Sequence, residues 1–212
     1  GLGTHYEPGA SYTVLAEDVT LFAEWAANSN TLTYHANGGV GRTTESHDTD
    51  EVFTLTEASV TRTGYDFEEW DTEENGGGTS YADQASFTMP ATDETLYAQW
   101  TAHTYTVEYM ANGGTGTTAS SSHTYGVSKA LTSSSFHMDY HTLVGWSTTP
   151  DGEVEYFDGQ SVVNLTAEDG ATITLYAQWT PYTYMVDYNI GSGDGGATLS
   201  SSHTYGEESA LT

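Results

Sequence analysis

The sequence predicts a mainly β protein built of small β-rich modules in tandem, and three observations predict it. The residues Thr-Leu-Tyr-Ala-Gln-Trp-Thr occur at 95–101 and again at 174–180, and a weaker copy lies at 20–25. Apolar and polar residues alternate with a period of two through these segments, as they do in half-buried strands. Thr, Val, Tyr and Trp are frequent throughout the chain, and these residues favour strands over helices.

Strands and tight turns are expected to recur within each module. Asn-Gly-Gly follows a predicted strand at 37–39 and at 112–114, and these residues tolerate the positive φ angles of a hairpin. A second turn is expected just after each of the strands that end in Trp70 and Trp146. The only short helical turn that we expect lies at 55–62.

The period of the repeat sets the predicted module boundaries. Trp25, Trp100 and Trp179 close successive copies at spacings of 75 and 79 residues. The sequence therefore predicts the following organisation: the C-terminal part of a truncated repeat at 1–27, complete repeats at 28–102 and 103–181, and the N-terminal part of a further repeat at 182–212. We interpret the chain as a window from a longer repeat protein. Because only a few residues separate the repeats, we expect a rod-like array.

The charge of the chain excludes two classes of partner. Thirty acidic residues stand against three basic ones, Arg42, Arg62 and Lys129, and the formal net charge is −27. Binding to nucleic acid or to an anionic membrane surface needs a basic patch, and three basic residues cannot form one. No apolar run approaches the roughly 18 residues of a membrane span, so we expect no direct membrane insertion. Repulsion between like-charged repeats would keep the array extended and soluble.

Aromatic residues are the predicted core anchors. All five Trp residues fall at two positions of the repeat, as expected when a small core needs one bulky anchor in each layer. The predicted core residues are Trp25, Trp70, Trp100, Trp146, Trp179, Tyr34, Tyr109 and Tyr188. An alternative use of aromatic residues is an exposed platform for sugars, for which the outward-facing Tyr97 and Tyr176 are the candidates.

The sequence predicts no catalytic site. Ser122 and His123 are adjacent on a predicted strand, so their side chains point to opposite faces and are badly placed for a nucleophile and its base. The chain has no Gly-x-Ser-x-Gly motif and no cysteine. We therefore expect no enzymatic activity.

No cofactor or metal site is predicted either, although calcium stays open as a weak alternative. His47, His123 and His203 occupy one position of the repeat, but one His per module is too few for a transition metal. Carboxylates for calcium are abundant, but no Asp-x-Asp-x-Asp-Gly loop is present. The carboxylates considered are Glu45, Asp48, Asp50, Glu51, Asp66, Glu68, Glu69 and Asp71.

Several motifs together resemble a known family. They are Tyr-Thr-Val-x-Tyr at 105–109, Asn-Gly-Gly at 112–114, Gly-Tyr-x-Phe-x-x-Trp at 64–70, Gly-Thr-x-Tyr at 78–81, Thr-Met-Pro at 88–90 and Thr-Leu-Tyr-Ala-Gln-Trp at 95–100. This pattern is similar to the Listeria–Bacteroides repeat, also called the internalin B-repeat, over essentially the whole chain. The resemblance implies β-grasp-like (SUMO-like) modules on secreted or wall-anchored surface proteins, and it implies no shared catalytic residues.

The second complete repeat departs from this pattern. His141 and Leu143 replace the Tyr and Phe of the first repeat, and Asn-Leu-Thr at 164–166 replaces Thr-Met-Pro. Its turns, and any ligand surface built on them, are therefore expected to differ.

We expect a structural repeat region at the extracellular surface of a bacterium or archaeon, acting as a stalk or as the body of a surface fibre. Its expected partners are neighbouring repeats of the same chain and, in a fibre, other copies of the chain. The main alternative is an adhesive module that recognises a glycan or host protein through exposed Tyr residues or acidic surfaces. A third interpretation is that the repeats space an enzyme elsewhere in the same polypeptide.

Overall fold

A computed structural model describes residues 4–14, 16–189, 191 and 199–209, and its regular elements there are all strands. The strands of the first complete repeat are β1 (Ser29–His35), β2 (Arg42–Asp48), β3 (Val52–Thr54), β4 (Tyr65–Asp71), β5 (Ser80–Tyr81), β6 (Ser86–Thr88) and β7 (Glu94–Ala102). Those of the second are β8 (Thr104–Met110), β9 (Ser121–Thr124), β10 (Lys129–Ala130), β11 (His141–Ser147), β12 (Ser161–Val162) and β13 (Thr172–Pro181). A final hairpin contains β14 (Thr183–Tyr188) and β15 (Leu199–Thr204).

The two complete repeats share one sheet topology. The main sheet of the first has the order β2-β1-β7-β4-β5, and that of the second has the order β11-β13-β8-β9. In each repeat the first and last long strands lie side by side and parallel, with Tyr34 opposite Leu96 and Tyr109 opposite Leu175. The other pairs in these sheets are antiparallel. The tandem β architecture expected from the sequence is confirmed.

A bulge occurs at the same place in both repeats. The register between β4 and β7 shifts between Phe67 and Glu69, and the register between β11 and β13 shifts between Leu143 and Gly145. An extra residue on one strand bends that strand and increases its twist. The bulge lies just before Trp70 or Trp146, and both indoles point into the core.

Each repeat has its own apolar core on one face of its sheet. Trp70 is 1% exposed and Trp146 is fully buried, with Tyr34 and Tyr109 packed against them at 5.0 Å between ring centroids. Period-two alternation explains this arrangement, because it directs every second side chain of β1, β7, β8 and β13 to the same face. The buried apolar residues of the two cores are Leu32, Tyr34, Ala36, Leu55, Val60, Trp70, Phe87, Met89, Leu96 and Ala98 in the first, and Tyr105, Val107, Tyr109, Leu131, Trp146, Val162, Leu175 and Ala177 in the second.

The predicted helical turn at 55–62 is wrong. This segment is an irregular connection that buries Leu55 and Val60. Its backbone amides bond outside the segment: Leu55 donates to the carbonyl of Ala85, Thr56 to the hydroxyl of Tyr34, and Ala58 to the carboxylate of Asp83. Bonds to distant groups replace the i to i−4 bonds that a helix requires.

The remaining predicted core residues differ in burial. Trp100 and Trp179 are partly buried and pack against the two cores, and Tyr188 is partly buried in the final hairpin. The prediction for Trp25 is wrong, since this residue is 92% exposed. The described residues up to 28 form no strand, so the pairing that covers the indoles of Trp100 and Trp179 is not formed around Trp25.

Candidate functional site: the joints between repeats

The repeated Asn-Gly-Gly and Gln-Trp motifs close each repeat on itself. The Trp100 indole Nε1 donates to the carbonyl of Ala36, and the side-chain amide of Asn37 donates to the carbonyls of Glu74 and Ala98. Gln99 Nε2 lies within hydrogen-bond distance of the carbonyls of Glu73, Glu74 and Tyr97.

The second repeat makes the equivalent bonds. The Trp179 indole Nε1 donates to the carbonyl of Ala111. The side-chain amide of Asn112 donates to the carbonyls of Pro150 and Ala177, and that of Gln178 donates to the carbonyl of Pro150. The motifs therefore satisfy backbone carbonyls of three separate segments in each repeat, and they make each repeat a self-contained frame.

One residue couples the two complete repeats through its backbone. The amide of His103 donates to the carbonyl of Gly64, at the start of β4 in the first repeat, at 2.9 Å. The carbonyl of His103 accepts from the amide of Tyr125, just after β9 in the second repeat, at 2.8 Å. Since both backbone groups of His103 are used, the chain between β7 and β8 is bonded on both sides and is not a free linker.

Aromatic packing supports this first joint. The rings of Tyr65 and Tyr125 meet edge to face with centroids 5.7 Å apart, and the Arg62 guanidinium lies 3.9 Å from the centroid of Tyr65. A Cβ on Gly64 would lie 2.4 Å from the Tyr125 ring, and Gly64 has a φ of +76°. The positive φ favours glycine at this position, and the close approach of the Tyr125 ring leaves no room for a Cβ.

The second joint repeats the backbone pattern of the first. The amide of Tyr182 donates to the carbonyl of Tyr140 at 2.8 Å, and the amide of Tyr205 donates to the carbonyl of Tyr182 at 2.9 Å. Tyr140 occupies the position of Gly64 and also has a positive φ, +60°. Its ring stacks on Tyr205 at 4.4 Å, and His141 meets Tyr205 edge to face. Different side chains thus support one backbone geometry.

The His103 side chain adds polar contacts at the first joint. Its Nε2 lies 3.0 Å from Oδ1 of Asp66, and its Nδ1 lies 2.6 Å from the carbonyl oxygen of Ala167. Asp169 accepts a hydrogen bond from the amide of Thr104, and this bond lowers the pKa of the Asp169 carboxyl. In the second joint Tyr182 and Thr142 occupy the positions of His103 and Asp66.

The histidines that share one position of the repeat lie within their own hairpins. Each contacts the residue two positions earlier on its strand: His123 Nε2 lies 2.9 Å from Ser121 Oγ, His203 Nε2 lies 2.5 Å from Ser201 Oγ, and His47 Nε2 lies 3.6 Å from Glu45. The hydroxyl of Tyr109 or Tyr188 contacts the same serine. These contacts brace β9 and β15 against the first strand of their repeats.

The arrangement around His123 lacks the third group that would orient a base toward a nucleophile. Ser122 is exposed whereas His123 is buried, so the two side chains do lie on opposite faces. Ser121 contacts His123, but Nδ1 of His123 is buried without a hydrogen-bond partner to orient the ring. Burial lowers the pKa of His123, and the charge of Lys129 lowers it further. The contact holds the buried His123 ring within the hairpin.

Several of the carboxylates considered for calcium bond to protein groups. Glu45 bonds to the hydroxyls of Tyr34 and Thr56, and burial together with this carboxylate raises the pKa of Tyr34 well above its ordinary value. Asp71 is buried and accepts from the amides of Glu73 and Gly78. Among the described residues, no group of three or more His, Cys, Asp or Glu is arranged to hold a metal ion.

The two candidate sugar-stacking residues lie on the sheet face opposite the core. Tyr97 and Tyr176 are both partly exposed. Tyr97 contacts His35 edge to face at 5.3 Å and borders an open groove of about 470 Å³, which is also lined by Thr72, Glu73, Glu74 and Asn75.

The joint residues were not identified as a site from the sequence. A signal was present, since Ser-Ser-Ser-His-Thr-Tyr-Gly occurs at 120–126 and at 200–206 and contains both joint tyrosines, Tyr125 and Tyr205. Nothing in the local pattern indicates that these rings contact the preceding repeat, because their partners lie about 60 residues earlier in the chain.

The described part of the chain contains no helix long and apolar enough to cross a membrane.

Two longer proteins of one organism are similar to parts of this chain. The chain is 30% identical over 174 residues to a “Putative Gly-rich membrane protein” of Evansella cellulosilytica. This alignment covers 77% of this chain and 20% of that protein. It is 34% identical over 91 residues to a “Putative membrane protein” of the same organism, covering 41% of this chain and 14% of the relative. The chain thus spans a fifth or less of the length of these relatives.

The family assignment rests on two matches in tandem. The Listeria-Bacteroides repeat domain matches residues 31–99 and 105–178. The matched segments cover most of the two closed frames and end one residue before Trp100 and Trp179, and the residues between them, 100–104, include the His103 joint. Together they cover about two thirds of the sequence. The chain belongs to the Listeria-Bacteroides repeat family.

Proposed function

We propose that this chain is a non-enzymatic structural region of an extracellular surface protein, in which stacked repeats form a stalk or the body of a surface fibre. The observation that carries the proposal is the joint, which recurs with the same two backbone hydrogen bonds at 103 and at 182. A spacer needs a defined joint that can be repeated, and a binding module does not. The family and the membrane-protein names of the relatives support a role at the cell envelope.

The proposal includes a rod-like array of β-grasp-like modules whose partners are neighbouring repeats and, in a fibre, other copies of the chain. The central parallel pair of first and last strands supports the module type. The net charge of −27 supports an extended array, because like-charged repeats repel one another. The extracellular surface of a bacterium or archaeon is the proposed location.

Electron microscopy of concatenated copies of residues 28–181 tests the rod. A compact repeat of this size is about 30 Å across, so each added repeat should lengthen the particle by about that amount. Compact particles whose longest dimension does not grow with repeat number would contradict the proposal. The same images separate its two forms: ordered filaments of regular thickness indicate a fibre body, and isolated thin rods indicate a stalk.

Location is tested in cells that carry the full-length protein. An antibody to residues 28–181 should label intact cells, and external protease should remove the labelled material. Labelling that requires cell permeabilisation would contradict the surface location.

A binding module remains the second candidate, and the groove beside Tyr97 favours it. Aromatic rings that border polar grooves are suited to stacking on sugars. In this case Tyr97→Ala should remove binding on a glycan array while the repeat stays folded, and Tyr176→Ala in the other repeat is the matched variant. Equal array signals for wild type and both variants would eliminate Tyr97 and Tyr176 as the ligand platform.

A further inference from the structure

The ring of His103 touches a hydrogen-bond acceptor in each of the two complete repeats. Its Nε2 lies 3.0 Å from the Asp66 carboxylate of β4 in the first repeat. Its Nδ1 lies 2.6 Å from the carbonyl oxygen of Ala167, in the segment before β13 of the second. The His103 side chain is only 17% exposed, whereas that of Asp66 is 74% exposed. One imidazole therefore bridges the joint from a largely enclosed position.

The two contacts require opposite ring nitrogens to donate at the same time. A carbonyl oxygen and an ionised carboxylate can only accept hydrogen bonds. A neutral imidazole carries one N–H and one lone pair, so it satisfies one contact and turns its lone pair toward the other oxygen. Only the imidazolium donates to both. These two contacts therefore favour the protonated ring of His103.

The charges around His103 favour the same state. The ionisable groups that act on the ring are Asp66 from β4 and Asp169 from the segment before β13, and both are acidic. The hydrogen bond to the Ala167 carbonyl and then the bond to Asp66 raise the pKa of His103 above its ordinary value.

We propose that His103 is a protonation-dependent clamp, which tightens the joint between the two complete repeats as the pH falls and loosens it as the pH rises. The proposal deepens the structural role given above and rests on it, since it concerns the same joint. A His whose pKa is raised in the folded state adds stability that is fully present below the pKa of the same His in the unfolded chain. That stability is lost as the pH rises through the raised value.

The second joint is an internal control. It has the same backbone bonds, from Tyr182 to Tyr140 and from Tyr205 to Tyr182, but neither member of the His–carboxylate pair. Its opening should not follow the titration of His103, although one imidazole, that of His141, contacts Tyr205 there.

The experiment uses the whole 212-residue chain and two NMR measurements between pH 5.5 and 8.5. Ring ¹⁵N shifts report the protonation of His103, and hydrogen exchange of the amides of His103 and Tyr125, corrected for intrinsic rates, reports opening of the joint. We expect both ring nitrogens to stay protonated to a higher pH than in an unstructured peptide. Protection of the two amides should fall as the ring loses its proton, while protection of the Tyr182 and Tyr205 amides does not follow the His103 titration.

Two variants make the result specific. Asp66→Asn should shift the His103 titration to lower pH and reduce the pH dependence of joint protection. Asp139→Asn is the matched control, because it removes a carboxylate that lies 2.8 Å from His137 Nε2 at an exposed site outside the first joint. It should leave the His103 titration and joint protection unchanged.

The outcomes distinguish the clamp from the joint itself. A neutral His103 ring at pH 6, or joint protection that does not change with pH, would overturn the clamp and leave the proposed stalk standing. Amides of both joints that exchange freely at every pH would contradict an ordered joint, and with it the proposed function.

Discussion

The indole Nε1 of Trp179 donates a hydrogen bond to the carbonyl oxygen of Ala111 at 2.9 Å, across 68 residues of sequence. Trp100 makes the equivalent bond to Ala36 at 3.0 Å. Each bond ties the last strand of a repeat to the turn after its first strand. The six-membered edge of each indole then covers the second glycine of that turn, where a Cβ on Gly39 or Gly114 would lie 2.7 or 2.8 Å from Cζ2. The frame of each repeat therefore depends on an indole and a glycine that fit together.

Replacing either glycine should destabilise its own repeat. Gly114→Ala forces a methyl group against the Trp179 ring, and overpacking of this kind typically costs about 1–3 kcal/mol. The free energy of unfolding, measured by urea denaturation and followed by Trp fluorescence, should fall by that amount. Ser122→Ala, on the exposed face of β9, is the control and should leave the free energy nearly unchanged. An equal loss in both variants would show that the fit at Gly114 is unimportant.

The exposed and buried tryptophans should respond differently to the same substitution. Trp70 lies in the core of the first repeat, and a large-to-small change there costs roughly 3–5 kcal/mol. Trp25 is almost fully exposed, so Trp25→Ala should change the free energy of unfolding by no more than about 0.5 kcal/mol. Thermal melts followed by near-UV circular dichroism compare the two. A large loss in Trp25→Ala would indicate that this indole is covered in solution.

The second repeat should lose stability in acid through Glu155. Hydrogen bonds from the Thr148 hydroxyl, the Thr148 amide and the Ser147 hydroxyl lower the pKa of this carboxyl from its ordinary 4.5. The stabilisation is therefore fully present above pH 4.5 and is lost as the pH falls through the depressed value. The melting temperature of wild type should drop more steeply between pH 5 and pH 3 than that of Glu155→Gln. Parallel curves for the two proteins would contradict the prediction.

The first joint should be sensitive to a methyl group at Gly64. Gly64→Ala places a Cβ against the Tyr125 ring and strains a backbone with φ of +76°, a combination that costs about 1–3 kcal/mol. Hydrogen exchange at His103 and Tyr125 should accelerate while the β1 and β8 amides stay protected.

Tyr125→Ala separates the two contributions to that cost. The double variant should lose less than the sum of the single losses, because the clash is absent once the ring is removed. Strict additivity would mean that the ring and the glycine do not interact.

The sequence determined the features that depend on local pattern and period. Alternation predicted the strands, and the recurring motifs predicted the tandem repeats and their family. Each of these depends on residue types and spacings that are visible in a single copy of the repeat or in a comparison of copies. The prediction of a helical turn at 55–62 was wrong because the amides of this segment bond to Tyr34, Asp83 and Ala85, and the local sequence does not encode these distant acceptors.

Only the tertiary structure determined which residues at equivalent positions of the repeat are buried and which are exposed. Trp25 and Trp100 occupy the same position in the repeat, yet one is exposed and the other partly buried, because burial requires the strands and turns that pack around the indole. The joint likewise depends on contacts between residues far apart in sequence, such as His103 with Asp66 and Gly64 with Tyr125. A period identifies what is repeated in a chain. Only the folded arrangement of successive repeats brings the end of one against the beginning of the next, and this packing turned His103 into a bridge between them.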